Sequence, residues 1–250
     1  MGMEMVDLGG RLSIVIPAYN EGRIIYNNVL KTIKIVSGFV EDFELVVVND
    51  GSRDNTREQI EKAALRDGRV LMVTSEKNHG KGSAILAGIA QCTGDYVAFL
   101  DADLELNPTQ LEGFLERMVD TGCGAVIGSK LHRDSRIRYP FRRRVMSIGY
   151  YCILRCLFHL RLMDTQTGLK VFRGEAIKPV AHLIRTSGFA YDIEILVAVS
   201  RRGYDIMEMP VQVVYSRERG SRRIRFKDVW QAFYDTLAIY GRMKRHYYDV

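Results

Sequence analysis

Apolar residues fall into two rhythms along this chain. Arg11–Pro17, Phe43–Asn49, Val70–Ser75, Tyr96–Leu100 and Gly124–Ser129 are short, nearly continuous apolar runs. Such runs mark strands buried on both faces of a parallel sheet. Between them the spacing turns helical. It predicts helices over Glu21–Val36, from Asp54 as a cap to about Arg66, and from Asn78-His-Gly80-Lys81-Gly82 to about Gln91. Another starts with Asn107 as cap and Pro108 at the first helical position. Strand and helix alternate without a long linker or internal repeat, so the expected fold is α/β: a Rossmann-like, mostly parallel central sheet flanked by helices.

The second half is less regular. Arg143, Ser147, Tyr151, Arg155 and His159 recur every four residues as a polar stripe on an apolar helix. That pattern fits a core helix with one wet edge, and equally a helix touching lipid headgroups or an isoprenoid tail. Leu169–Phe172 reads as a short strand and Ile193–Arg202 as a helix. Ile206–Val213 reads as a late strand that Pro210 places near an edge or bulge. Phe226, Val229, Trp230, Phe233, Leu237 and Tyr240 form an apolar stripe on a terminal helix, expected to cover the domain, with membrane anchoring as the other reading. Arg242, Lys244 and Arg245 at its end suit both the helix dipole and anionic lipid. Residues 1–10 are expected to be a flexible N-terminus, 11–240 one domain with halves at 11–105 and 106–225, and 226–250 an amphipathic C-terminal helix.

The net charge of +6 is concentrated in Lys130–Arg144 and Arg217–Arg225. Two local basic stretches point to phosphate groups or an anionic membrane surface, and no nucleic-acid motif accompanies them. Cys92, Cys123, Cys152 and Cys156 have neither zinc spacing nor a disulfide framework, so a reducing, cytosolic compartment is expected. Met1–Gly10 lacks the features of a signal peptide. No apolar run approaches the ~20 residues of a membrane span; the best candidate, Val145–Leu162, is broken by Arg155, His159 and Arg161. A cytoplasmic protein, peripheral at the cytosolic face of a membrane, is the expectation.

The candidate chemistry centres on Asp101-Ala102-Asp103-Leu104-Glu105, directly after the run Tyr96–Leu100. A strand ending there puts carboxylates at the carboxyl edge of the sheet, where open α/β sheets bind ligands. Neighbouring acids repel, and a divalent ion holding a diphosphate would satisfy them; the plainer reading is an exposed acidic turn capping the next helix.

Four motifs occur in order, each at a predicted strand or helix end: Ile16-Pro-Ala-Tyr-Asn-Glu21, Val48-Asn-Asp-Gly-Ser52, Asn78-His-Gly-Lys-Gly82 and Asp101-Ala-Asp103. Together they resemble the family 2 glycosyltransferases of the GT-A fold, from Leu12 to about Tyr240. Asp164-Thr-Gln-Thr-Gly168-Leu-Lys-Val-Phe-Arg173, Phe189-Ala-Tyr-Asp192-Ile-Glu194 and Arg217-x-x-Gly220-x-x-Arg223 look like the polyprenyl-phosphate sugar transferases. These include the dolichyl-phosphate mannose synthases and dolichyl-phosphate β-glucosyltransferases, and the Asp164–Gly168 run is closer to the glucosyl branch. Two departures stand out. The usual paired acids after the second strand are here Asn49-Asp50, and the late basic motif ends Arg222-Arg223 in place of Ser-Lys.

The resemblance implies a nucleotide-sugar donor, with residues 11–105 as the nucleotide-binding half and 106–225 as the acceptor half. Pro17, Tyr19, Glu21, Val48 and Asp50 would line the base and ribose, Tyr19 with a stacking face. Lys81 would reach the anionic donor. Asp101, Ala102 and Asp103 would meet the diphosphate through Mg²⁺ or Mn²⁺, with Glu105 as a further metal ligand. Arg217 and Arg223 would close over it as a lid. Lys130, Arg142, Arg143 and Arg144 would hold the acceptor phosphate. Asp164, Gln166 and Arg143 are the expected catalytic groups, with Asp164 or Asp192 as base if the acceptor is a sugar hydroxyl. A phosphate monoester, with a second pKa of about 6, is already anionic at neutral pH and needs positioning more than deprotonation. The implied reaction is inverting transfer of a hexose from UDP-glucose or GDP-mannose to a polyprenyl (dolichyl) phosphate. The alternative is a saccharide or other non-polyprenyl acceptor, and a binding protein without turnover is a third class.

Overall fold

The computed structural model describes residues 5–135, 149, 151, 153–160, 162–188, 190–213 and 226–249. The apolar runs become β1 (Leu12–Ala18), β2 (Phe43–Asp50), β3 (Val70–Ser75), β4 (Tyr96–Phe99) and β5 (Ala125–Ser129), followed by β6 (Lys170–Arg173) and β7 (Ile206–Pro210). They form one sheet in the order β3-β2-β1-β4-β6-β5-β7. Only β6 runs against the others: it pairs antiparallel with both β4 and β5, while β7 pairs parallel with β5 at the edge. Because of this reversal, the start of β6 lies at the same edge as the ends of β1, β2, β4 and β5. The sheet edge therefore gathers these five chain segments, including the one that carries Asp164 and Gln166.

The helices are α1 (Ile25–Val36), α2 (Thr56–Arg66), α3 (Lys81–Ile89), α4 (Gln110–Thr121), α5 (153–158), α6 (Gly174–Ala181), α7 (Tyr191–Arg201) and α8 (Phe226–Lys244). Alternation along β1 divides the core in two. Leu12, Ile14 and Ile16 face a cluster with α1, α2 and α4, while Val15 faces a second cluster with α3, α6 and α7. Gly88 lets α3 lie directly on the sheet, since a Cβ there would come within 2.4 Å of Val15 Cγ1. This contact fixes where the N-terminal end of α3, and hence Lys81, meets the sheet edge.

Several elements depart from the sequence reading. α1 starts four residues late because the preceding N–H groups bind across to the next loop: Asn20 N to Ser52 Oγ (3.0 Å), Glu21 N to Thr56 Oγ1 (2.8 Å) and Gly22 N to Asp54 Oδ2 (3.1 Å). α4 starts at Gln110, since the Asn107 side chain accepts from Thr109 N at 3.1 Å and folds Asn107-Pro108 into a turn ahead of the helix. α6 has no counterpart in the sequence reading; Pro179 lies inside it. Lys170–Arg173 is antiparallel, and the late strand ends at Pro210.

The largest correction concerns α8. Trp230, Phe233, Tyr234 and Leu237 are 59, 37, 62 and 42% exposed. The face that packs carries Thr236 and Ile239, with Tyr240 edge-on to Phe158. Arg242, expected to face lipid, turns inward instead. Its Nη2 lies 2.7 Å from Glu194 Oε1, and its Nε donates to Tyr248 Oη at 3.0 Å. Glu194 is fully buried and also accepts from Tyr248 Oη (2.6 Å), Arg185 N, Thr186 N and Thr186 Oγ1. The C-terminal segment is thus pinned at its far end and leaves its aromatic half uncovered. Among the described residues no helix is long and apolar enough to cross a membrane.

Breaking a buried charged cluster at one member costs about 3–5 kcal/mol. Glu194→Ala is therefore expected to lower unfolding free energy by about 3 kcal/mol, and Tyr248→Phe by about 1 kcal/mol. Urea denaturation followed by far-UV circular dichroism checks both, and equal midpoints for wild type and Glu194→Ala would contradict the pinning role.

Candidate active site

The carboxyl ends of β2, β1 and β4 stand side by side. Ala18 pairs with Asn49, so Tyr19 and Asp50 stand at one level, while Phe99 at the end of β4 pairs with Val15, so the turn carrying Asp101 leaves the sheet earlier. β2 and β4 flank β1 on either side, their axes about 10 Å apart across two strand spacings. Pro17 and Tyr19 are half-buried at the end of β1. Glu21 caps that loop, its carbonyl accepting from Ile24 N and Ile25 N.

Two residues expected at the nucleotide are differently employed. Val48 is fully buried in the core, and its Cγ2 bounds the space at Gly88. Asp50 is 4% exposed; its Oδ1 accepts from His79 N, and its Oδ2 from Gly80 N and Asn78 Nδ2, all at 2.9 Å. Asp50 thus fastens the Asn78-His79-Gly80 loop. Its carboxylate sets the entry to α3 and leaves the exposed surface to Tyr19.

The acidic turn is held from both sides. Leu100 N still bonds Val15 O, extending the sheet by one residue. Asn28 on α1 donates from Nδ2 to Ala102 O at 2.8 Å. Leu104 adopts a left-handed φ of 54°, its N–H on Asp101 O, and Glu105 N bonds Asp103 Oδ1 at 3.2 Å. Asp101 Oδ1 lies 2.5 Å from Lys81 Nζ at the start of α3. The other oxygen of Asp101 faces the backbone of Gly168, where a Cβ would come within 2.0 Å of it. Glycine at 168 is therefore a condition for the Asp101 rotamer.

Behind this turn lies a buried ion pair. Lys170 is 1% exposed; its Nζ bonds Asp192 Oδ1 at 2.6 Å and Thr167 O at 2.5 Å. Asp164 organises the same turn: Oδ2 accepts from Lys130 N (2.8 Å) and Thr167 Oγ1 (2.7 Å), and Oδ1 from Gln166 N (3.0 Å). Glu208 on β7 in turn accepts from the N–H groups of Met163 and Asp164. Asp164 and Asp192 are thus both fixed in structural bonds, while Gln166 is exposed.

Charge is shared unevenly across these acids. Burial alone would raise the pKa of Asp101, but Lys81 beside it, aided by Lys130 and Lys170, holds it below the ordinary value. Asp103 and Glu105 go the other way, raised first by burial and then by their acidic neighbours, although Glu105 N partly offsets this at Asp103. Asp192 is raised by burial against the pull of Lys170 and Lys81. Two carboxylate arms of unequal basicity at one edge are hard oxygen donors suited to Mg²⁺ or Mn²⁺ with the remaining positions filled by diphosphate and water. Among the described residues no three acids, histidines or cysteines converge on one point, so Glu105 is not gathered with Asp101 and Asp103 into a single metal-holding group.

Arg142, Arg143, Arg144, Arg217 and Arg223 lie outside the described residues. Sequence reasoning passed over Asn28 and Lys170. A lysine inside the apolar run Leu169-Lys-Val-Phe172, with Asp192 opening an apolar helix, was a legible signal for a buried pair. Asn28 left no such signal, because only the fold brings α1 over Ala102.

The sequence model described as glycosyl transferase family 2 matches residues 13–180. Glycosyltransferase AglD of Haloferax volcanii is 32% identical over 205 residues, covering 81% of this chain and 33% of that protein. A dolichyl-phosphate beta-glucosyltransferase of Trichomonas vaginalis is 33% identical, covering 80% of this chain and 65% of its own length. The dolichyl-phosphate beta-glucosyltransferase of Saccharomyces cerevisiae is 29% identical, with 80% and 66% covered. The chain therefore spans between a third and two-thirds of the length of these relatives. Glucosyl-3-phosphoglycerate synthase from Mycobacterium tuberculosis, crystallised with Mn²⁺, uridine diphosphate and glucosyl-3-phosphoglycerate, superimposes with a TM-score of 0.68 at 21% identity, over 93% of this chain and 81% of that one.

Gly168→Ala is expected to leave the fold in place and turn the Asp101 carboxylate away. Disturbing a group that orients a metal ligand typically costs about 10–100-fold in affinity. Mn²⁺ titration in the presence of uridine diphosphate, read by electron paramagnetic resonance, should show at least the lower figure.

Proposed function

The chain belongs to glycosyl transferase family 2 and has the GT-A fold, and on that premise we propose that it transfers glucose from UDP-glucose to a polyprenyl phosphate of the dolichyl type, with inversion at the anomeric carbon. The observation that carries this reading is the convergence of Tyr19, Lys81, Asp101, Asp103 and Lys130 on one sheet edge. The glucose and dolichyl-phosphate assignments draw on the relatives' names, and the domain division at 11–105, 106–225 and 226–250 follows the same reading.

In this reading the nucleoside lies over the ends of β1 and β2, stacked on Tyr19, and the diphosphate lies toward β4. Asp101 and Asp103 hold Mg²⁺ or Mn²⁺, which when bound acts as a Lewis acid and offsets charge on the departing nucleoside diphosphate. Lys81 supplies a second positive charge at the same group. The acceptor's phosphate oxygen forms the new bond to the anomeric carbon as the bond to the diphosphate breaks. Because that oxygen is already anionic, no base is needed, and this agrees with Asp164 and Asp192 being tied into structural bonds. Asp164 instead presents Lys130, whose ammonium steadies the acceptor phosphate together with Arg143; Arg217 and Arg223 close over the donor.

The exposed face of α8 supports a location at a membrane surface. Trp230, Phe233, Tyr234 and Leu237 stand at i, i+3, i+4 and i+7, with the three aromatic rings in contact with one another. An aromatic stripe of this kind lies in the headgroup boundary of a bilayer, which is where a polyprenyl phosphate presents its headgroup.

Asp103→Ala is expected to lower kcat by a hundredfold or more, about 3 kcal/mol of transition-state stabilisation, with an unchanged circular dichroism spectrum. Full activity in that variant would remove the metal role. With Mn²⁺ present, UDP-glucose should raise Tm more than GDP-mannose does. Trp230→Ser with Phe233→Ser should release the protein from anionic vesicles in co-sedimentation, while donor binding in solution stays at the wild-type level.

A further inference from the structure

The ion pair between Lys81 and Asp101 joins two requirements of the site, donor binding and cation binding, in one contact. Lys81 Nζ covers Asp101 Oδ1 at 2.5 Å, and the other oxygen lies where a side chain at Gly168 would stand. The Asp101 side chain is 34% exposed, and its Oδ1 is taken by the lysine ammonium. The lysine side chain is 43% exposed, so it has room to swing away. The other groups that face it electrostatically are Tyr191 and Asp192, and Asp192 already has Lys170 as its partner. Within the protein, Asp101 is the acceptor to which this ammonium is bound.

We propose that Lys81 occupies, in the donor-free enzyme, the place on Asp101 that a divalent cation must take, and that it leaves only when a diphosphate arrives to receive it. This rests on the donor reading given above and adds an order to it: cation and nucleotide sugar enter together. An ammonium is a compact point charge on a flexible stem, well suited to pass from a carboxylate to a phosphate. Without nucleotide, Mn²⁺ meets a cation already in residence, and the two repel. With nucleotide, the negative diphosphate draws Lys81 across and offers the metal its own oxygens. The handicap that Lys81 imposes on the bare metal is thereby removed by the donor. By linkage the same factor appears as a gain in donor affinity when metal is bound. A site built this way does not sequester Mn²⁺ in its empty state.

The test is the affinity for Mn²⁺ read by electron paramagnetic resonance, with and without uridine diphosphate, for wild type, Lys81→Met and Lys81→Arg. Without nucleotide, Lys81→Met is expected to bind Mn²⁺ about tenfold more tightly than wild type, within the usual range of coupling between sites. Uridine diphosphate should tighten Mn²⁺ about tenfold in wild type and much less in Lys81→Met. Lys81→Arg keeps the charge and should retain weak binding of the bare metal. The proposal is overturned if Lys81→Met binds bare Mn²⁺ no more tightly than wild type, or if uridine diphosphate tightens both equally. Absence of Mn²⁺ binding by wild type even with uridine diphosphate would instead overturn the metal-dependent donor reading itself. Lys81→Gln replaces Lys81→Met if the latter does not fold.

Discussion

The arrangement of this protein follows from the mutual repulsion of carboxylates gathered at one sheet edge. Asp101 is close enough to Asp103, Glu105 and Asp192 to raise the pKa of each, and all four are partly or fully withdrawn from water. Such a group stands only if cations are supplied. Three lysines supply them from three elements: Lys81 at the start of α3, Lys130 after β5 and Lys170 at the start of β6. The reversed direction of β6 is what delivers the third, since its first residue must lie at the edge where the parallel strands end. Charge balance and topology are here the same requirement.

Elsewhere in the molecule, acids act as clamps on backbone N–H groups. Asp50 holds the loop into α3, Asp54 links the β1–α1 loop to α2, Asp164 holds the turn before β6, and Glu194 gathers residues 185–186. Each replaces water at N–H groups that irregular chain would otherwise leave unpaired. The result is a set of loops positioned by hydrogen bonds at an edge where binding residues need a rigid support. Ser187 O, which accepts from Gly82 N, ties this system to the start of α3 and so to Lys81.

The C-terminal helix obeys a different rule. Its far end is locked by Glu194, Arg242 and Tyr248, while its near end presents aromatic rings to the surroundings. The anchor and the packing of Thr236, Ile239 and Tyr240 hold the helix, and its open face leaves apolar area exposed.

The sequence alone determined the parallel α/β plan and the placement of Asp101 and Asp103 at a strand end, because continuous apolar runs with abrupt polar ends leave few other folds. It also placed Tyr19 in the loop after the first strand and Lys81 at a helix start. It did not show which acids hold loops: Asp50 read as a nucleotide contact and Asp164 as a catalytic group, and in the fold Asp50 holds residues 78–80 while Asp164 holds its own turn and Lys130 N. Asn28, the pairing of Lys170 with Asp192 and the need for glycine at 168 depend on contacts between residues far apart in sequence. The outward turn of α8 was likewise decided by the tertiary structure, because the spacing of apolar residues sets where a helix's apolar face lies, whereas a distant anchor sets which way it points.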